Sequence, residues 1–472
     1  MLVPTRSAAA SGDGASDMTE RFDPMVPCVG LGAMAVMSWL YVTHADLYQY
    51  ILNIWMLQPF PAPFLDLSFV TAGIDCWGKG VDVYEHNPCD LLDRTHNYSP
   101  LWLRLAFIPT GAEWTNILGL GLVGCFLIAL GFLPLPRRAS LLGASLLGVL
   151  SYSTAYAVER GNLDLLMFTA AIVAGLCLGG RLPARIAGYA LITFISLLKF
   201  YPAVMLVVLL RERWRIIIAV GCLAAAAFAG FVVMFHDELP RMAATLPVTW
   251  PPGFGWGAKG LPGGLNDILP NLLGVLGYHA PWVDGLQATH LAAFIFLIVL
   301  MVVSFGTALH LAHRTDIIAS LDLLPPRASR FLLIGSAAVG GCFFLGESLP
   351  YRAIFLLLVL PVFLVLVQVS PHIRVRKLFG WTAGATLFVL WQHPIRGILK
   401  PLFGGPLDPP PGPVFQPAKE LIATYIGWVV TELSWWWVIT VLMAVLLRFL
   451  ASLRPGAGAR ARAHIVPAST SP

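Results

Sequence analysis

The sequence predicts an all-α polytopic membrane protein. Of its 472 residues, 57% are hydrophobic and only 12% charged, against about 25% charged in a typical soluble domain; the mean hydropathy is +0.76. The apolar residues fall in long runs separated by short basic clusters, the pattern of membrane-crossing helices and their connecting loops. A net charge of +5 would suggest an anionic partner for a soluble protein. In a membrane protein its distribution matters more than its sum, and nucleic acid is not an expected partner.

Residues 1–24 are polar and read as a disordered cytoplasmic N-terminus. A single transmembrane domain is expected over 25–453, with about ten full spans. The first, Met25 to Val42, is short but adequate at about 1.5 Å per residue. No small-residue cleavage site follows it, so it reads as an uncleaved anchor. An outer loop over about 43–112 carries Asp46, Asp66, Asp75, Asp82, Glu85, Asp90 and Asp93 against Lys79 and Arg94. Its early part, Leu47 to Phe60, mixes aromatic and aliphatic residues as an interfacial helix does. Spans follow at about 113–135, 141–158 and 164–180, the last two joined by Glu159-Arg160-Gly161-Asn162.

Residues 186–210 are apolar but split by Lys199-Phe200-Tyr201-Pro202 and flanked on both sides by arginines: Arg181 and Arg185, then Arg211, Arg213 and Arg215. If basic clusters mark the cytoplasm, both ends lie there and the segment turns back as a broken, re-entrant hairpin. About twelve residues per arm would put the Lys199 turn some 18 Å from the cytoplasmic face. Further spans are expected at about 214–234, 291–312, 331–346, 353–370, 378–393 and 424–448. Outer loops occupy 235–290 and 394–423, the second with a stiff proline-rich run from Leu407 to Pro417. The tail, 454–472, is Ala/Gly/Arg-rich and expected to be disordered in the cytoplasm.

This arrangement places nineteen of the thirty Lys and Arg on one side, among them Arg137, Arg213, Arg330 and Arg374. The positive-inside rule makes that side cytoplasmic, with both termini, and puts the three long loops outside. The expected location is the plasma (inner) membrane, the lipid bilayer being the first partner. Seven cysteines show no zinc spacing. Only Cys76 and Cys89 share a polar loop; whether they form a disulfide stays open, an extracytoplasmic position permitting it.

The polar residues inside apolar surroundings carry the chemistry. An ionised side chain at bilayer depth costs about 2.5–3.5 kcal/mol on insertion scales, so such groups face an internal cavity or serve function. Arg160, Asn162 and Asp164, beside Glu159, have little room to avoid the protein interior. Lys199 reads either as a snorkelling side chain or as a cation positioned by the following Tyr201-Pro202. Arg352 opens a span at the outer end, where arginine is disfavoured, and its guanidinium suits a phosphate. Asp66 sits in an apolar stretch beside the membrane surface, an environment suited to a general base. The other loop carboxylates read as a solvated face. No Asp-x-Asp pair is present in the loop, so no metal or other cofactor is expected; Arg and Lys can neutralise a single phosphate.

Asp66 with Tyr84 downstream, the Gly161-Asn162-Leu163-Asp164 turn, Lys199 to Pro202, and Tyr351-Arg352 together resemble glycosyltransferase family 87. That family comprises bacterial polyprenol-phosphate-mannose-dependent mannosyltransferases of the GT-C fold, and the resemblance covers roughly residues 60–370. The family's central outer loop often holds Asn-Gln-Ser followed by an arginine, where this chain has Gly264-Leu265-Asn266-Asp267. The resemblance implies a GT-C-like fold and transfer of mannose or a related hexose, with inversion, from a polyprenyl-phosphate donor to an extracytoplasmic glycolipid or glycan hydroxyl. Asp66 would be the catalytic base; Lys199, Arg352, Arg160, Asn162, Asp164, Tyr201, Tyr351 and Tyr84 would bind substrate. Lys199 and Arg352 are expected to hold the donor phosphate between them, because two cations in such places need an anion. The alternative is a transporter or flippase for a lipid-linked or anionic solute, which also uses broken helices and membrane-embedded charges; no internal repeat supports it. A membrane scaffold without chemistry would leave Asp66, Lys199 and Arg352 unexplained.

Overall fold

A computed structural model describes residues 22–57, 62–105, 107–246, 255–265, 291–402 and 418–453. The ends expected to be disordered, 1–24 and 454–472, lie outside the described residues apart from 22–24, as do the Leu407 to Pro417 run, the Asn266-Asp267 pair and most of the loops 235–290 and 394–423. Among the described residues the regular structure is helical, with one isolated β-bridge between Trp256 and Ser348. The chain is a multi-pass membrane protein: among the described residues seven helices are long and apolar enough to cross a bilayer.

In the N-terminal half, α1 (Met25–Thr43), α2 (Ala45–Ile54) and α3 (Leu65–Gly78) precede α4 (Ala112–Leu130), α5 (Ala139–Val149), α6 (Tyr152–Arg160) and α7 (Asp164–Cys177). The stretch expected as an outer loop therefore contains two helices, and Asp66 lies in the first turn of α3. Leu67, Phe69, Val70, Ile74 and Cys76 are buried there, so α3 is held by its apolar positions. Three expected spans form shorter or more charged helices: α4, α7 and Ile373–Leu390, whose first turns carry Arg374, Arg376 and Lys377. In α7 the limit is local, since Gly179-Gly180 follows its C-terminus and glycine is unfavourable in a helix interior.

The hairpin pairs α8 (Leu182–Leu198) with a 3-10 helix, Tyr201–Arg211. Lys199 is extended (φ −145°, ψ 121°), which ends α8, and Pro202 fixes the backbone of the returning arm. At the base, Arg185 donates to both carboxylate oxygens of Glu212 at 2.8 and 3.2 Å, and Tyr189 adds its hydroxyl at 3.2 Å. The arms are unequal, 17 and 11 residues. The 3-10 rise of about 2.0 Å lets the shorter arm reach ~22 Å, close to the ~25 Å of the α-helical one. The Lys199 turn is thus farther from the hairpin base than the ~18 Å expected from equal α-helical arms.

The centre is α13 (Pro326–Leu345), against which pack the hairpin, a second 3-10 helix (Pro350–Leu358) running into α14 (Leu360–Val369), and α17 (Ala418–Ser452). Close packing here depends on missing side chains. A Cβ on Gly335 would lie 2.5 Å from Val359 Cγ1, and one on Gly175 of α7 would lie 2.8 Å from the Phe331 ring; small residues let membrane helices approach this closely. Burial falls steeply outward, from 78% of residues in the Pro350–Val369 window to 11% in α9 (Trp214–Met234) and α11 (Leu291–His313). The surfaces those two expose are Leu, Val, Met and Ile, which only a hydrocarbon environment tolerates over such areas.

The basic clusters share one end of the bundle. Arg137 and Arg138 donate backbone N–H groups to Gln368, Arg327 reaches the Phe132 carbonyl, and Arg185 pairs with Glu212. At the opposite end the acidic loop meets α10 (Glu238–Ala244), through Arg241 with Asp82 and Arg104 with Glu238. With the five free cysteines removed, single cysteines at 213 and 374 should therefore react with an impermeant maleimide from one side of the membrane, and cysteines at 85 and 259 from the other. Reactivity of 213 and 85 from the same side would contradict this packing.

Candidate functional site

The site is built on the turn between α6 and α7. Gly161 adopts φ +56°, the left-handed region where glycine carries no Cβ penalty. It lets Gly161 and Asn162 return their N–H groups to the Val158 and Ala157 carbonyls, both at 3.0 Å, which closes α6. A Cβ at Gly161 would also lie 2.9 Å from Phe64 Cβ. Phe64, itself left-handed (φ 59°), donates its N–H to the Glu159 carbonyl at 2.7 Å. That bond stitches the start of α3 to the turn and brings Asp66 to Asn162, whose Nδ2 donates to Asp66 Oδ2 at 2.6 Å.

Asn162 faces both ways. Its Oδ1 accepts the Asp164 N–H at 2.9 Å, an Asx-type cap for α7, and lies 3.3 Å from Lys199 Nζ. Asp164 has no solvent-accessible side-chain surface. Its Oδ1 accepts from Lys199 Nζ and the Tyr201 hydroxyl, each at 2.6 Å, and its Oδ2 from Arg352 Nε at 3.3 Å. Arg352 Nη1 also reaches Ser348 Oγ at 3.2 Å, and its guanidinium stands 5.3 Å from the centre of the Tyr201 ring.

Lys199 and Arg352 do share one site, but the anion between them is Asp164. The reasoning that two such cations need an external phosphate is corrected by this carboxylate, which satisfies them from within the fold. The two cations are not equivalent: the Lys199 side chain is 7% exposed and that of Arg352 24%. Of the two, Arg352 is the more open to a bound anion.

Asp66 is flanked by two further guanidiniums, with Arg94 Nη1 3.5 Å and Arg160 Nη1 3.9 Å from its Oδ1. Arg94 is fixed by a two-bond clamp to Asp90, at 2.9 Å each, and by a 2.9 Å bond to the Leu65 carbonyl. It lies 4.6 Å above the Phe69 ring. The Asp90 side chain is fully buried, so it is not part of a solvated face; next to it, Cys89 is disulfide-bonded to Cys76 of α3. The disulfide thus ties the loop that carries Asp90 and Arg94 to the helix that carries Asp66.

Aromatic rings surround the polar cluster. Tyr98 lies 5.0 Å from Lys199 Nζ, and Tyr351 packs on Tyr156 at 5.6 Å, with Arg160 5.4 Å from the Tyr156 ring. His96 stands between Phe69, Tyr84 and Tyr98; burial pushes its imidazole down to about 4, so it is neutral at physiological pH. Tyr84 is not brought to the site. It belongs to a separate small cluster with Val83, Leu103 and Met242, its ring 5.1 Å from Arg241, because Arg241 pairs with the neighbouring Asp82. Asp66, Asn162, Asp164, Lys199, Tyr201, Arg160, Tyr351 and Arg352 do converge.

Sequence reasoning passed over Asp90, Tyr98, Tyr156 and Ser348 as parts of this site. Arg94 was visible four residues after Asp90, but nothing local ties either to Asp66. It also passed over Glu432, a buried carboxylate of α17 against which Gly260 packs. The chain matches no protein-family model, and no curated protein or solved structure matches it.

Removing one partner of a buried ion pair leaves an uncompensated charge and costs about 3–5 kcal/mol. Lys199→Gln and Asp164→Asn should each lower the thermal stability of the purified protein strongly. The double variant should cost clearly less than the sum of the two, a non-additivity that a double-mutant cycle measures; simple addition would mean the pair is not coupled. Reduction of Cys76–Cys89 opens a loop of sequence separation 13 and should cost the outer loop about 2–4 kcal/mol. Faster proteolysis within residues 79–100 is the expected readout, and unchanged proteolysis would show that the loop is held without it.

Proposed function

We propose that this chain is a membrane glycosyltransferase of GT-C type, related to glycosyltransferase family 87, that moves a hexose from polyprenyl phosphate to an acceptor hydroxyl with inversion. One observation carries the reading. Asp66 has one carboxylate oxygen held by Asn162 and the other in longer ion pairs with Arg94 and Arg160, at 3.5 and 3.9 Å, while Asn162 links it to a cluster that ends on the partly exposed Arg352. An oriented carboxylate oxygen that no short hydrogen bond occupies can take a proton, and a guanidinium on the far side of Asp164 can take a phosphate.

In this mechanism Asp66 Oδ1 removes the acceptor O–H proton as that oxygen bonds to the anomeric carbon. The bond from the anomeric carbon to the phosphate oxygen breaks with its electron pair, through an oxocarbenium-like transition state. Charge builds on the phosphate, and Arg352 stabilises it by fixed hydrogen bonds. Lys199 and Tyr201 act one step back by holding Asp164, which in turn orients Arg352 and, through Asn162, Asp66. The reading places the site on the outer face of the plasma membrane, because the basic clusters gather at the other end of the bundle and a disulfide is compatible with an oxidising compartment. Charges neutralised within one end of the bundle weigh against a carrier, whose site must serve both faces.

The test is transfer from a polyprenyl-phosphate hexose in membrane vesicles. Asp66→Asn should lower the rate about 10²–10⁴-fold in a folded protein, and Arg352→Gln should mainly weaken use of the donor. Asp75→Asn should be mild, since Asp75 pairs with the exposed Lys79; Asp90→Asn should not be mild, because it removes the clamp on Arg94. Wild-type turnover by Asp66→Asn would return that residue to a structural role.

A further inference from the structure

A slot of about 330 Å³ runs between α1 and the bundle. At its inner end α1 touches α4, a Cβ on Gly30 being only 2.7 Å from Leu127 Cδ2; toward the outer end Tyr41 and Val42 of α1 and Asn116 and Leu120 of α4 line it. One face of α1 lines it, Gly30, Ala33, Met34, Met37 and Tyr41, at helical spacing. The facing wall includes Leu120, Val149, Ala155 and Val158. The slot closes at Phe64 and Glu159, whose backbone bond starts the α3 segment carrying Asp66.

We propose that this slot holds one hydrocarbon chain of the acceptor, so that the acceptor is a lipid of the outer leaflet with its polar head at Asp66. The inference rests on the glycosyltransferase reading and extends it to the class of acceptor. Apolar cavities stay dry, and α1 and the α5–α6 stretch that line this one are long and apolar enough to cross the membrane, so hydrocarbon is the material at hand. Gly30 to Tyr41 spans ~16 Å at 1.5 Å per residue, about half of a ~30 Å hydrocarbon core; the slot has the depth of one leaflet. Met34 and Met37 give it a wall that adapts to chain shape. Polar groups of Ser38, Tyr48, Asn116 and Thr154 also border the slot, and of the acidic residues it is lined by Glu159, next to Arg160, whose guanidinium stands 3.9 Å from Asp66. Arg352, which takes the donor phosphate, lies beyond Asn162 and Asp164, so the slot serves the side of the base and the attacking hydroxyl.

The experiment uses the full-length protein in phosphatidylglycerol nanodiscs with an octyl glycoside bearing a terminal diazirine, beside the matching methyl glycoside. Photolabelling should fall on residues 30–41 and 149–158 and drop at least tenfold in Ala33→Phe, with Ala155→Leu as a gentler second variant if the first folds poorly. The preference for octyl over methyl acceptor in transfer should fall about tenfold in the same variants, with the donor KM unchanged. Labelling elsewhere, or labelling and preference both unaffected by filling the slot, would overturn the proposal. A raised donor KM with unchanged acceptor preference would assign the slot to the donor's chain and equally overturn it. Were the wild type to transfer no sugar, the functional reading would fail, while the label map would still decide what occupies the slot.

Discussion

A single buried carboxylate holds the functional end of this protein together. Asp164 has no access to solvent, and its two oxygens accept from Lys199, Tyr201 and Arg352. These groups come from three separate segments: the start of α7, the break of the hairpin and the first turn of the second 3-10 helix. Each ion alone would be costly at this depth. Together they satisfy one another, and the geometry that satisfies them fixes where α7, the hairpin and the Pro350–Leu358 segment meet.

The two longer 3-10 helices, Tyr201–Arg211 and Pro350–Leu358, follow from that constraint. Each carries a residue of the cluster in its first turn, Tyr201 in one and Arg352 in the other, each has proline there, and each packs on α13. The 3-10 form is longer per residue than an α-helix and rarely persists. Here it lets segments of 11 and 9 residues carry a polar residue to the outer end while keeping apolar side chains on the core. The close contact at Gly335, against Val359 and Leu358, helps hold the second one in place.

The acid and the cations have different tasks because their exposure differs. Lys199 is enclosed between Asp164 and the Tyr98 ring, so its charge serves the fold. Arg352 keeps part of its side chain exposed, and Asp66 keeps one oxygen outside any short hydrogen bond. The Asp90–Arg94 clamp and the disulfide beside it hold the outer wall of Asp66, which makes a loop of acidic appearance part of the site's framework.

The sequence by itself determined the class of the protein and much of its cast. Hydropathy runs and basic clusters are local quantities, and they were enough for the helical membrane architecture and the break at Lys199-Phe200-Tyr201-Pro202; charges stranded in apolar runs singled out Asp66, Asn162, Asp164, Lys199 and Arg352. Pairing was not legible. Asp66 meets Asn162 across 96 residues and Arg352 meets Asp164 across 188, and no local pattern encodes which acid neutralises which base. For the same reason Asp90 read as solvated and Tyr84 as a ligand: one gains a buried partner and the other loses the site only when the outer loop folds onto α3 and α10. Tertiary structure also decided the slot beside α1, since a gap between helices depends on where they touch, at Gly30 and Leu127, and that contact is a property of two distant segments brought together.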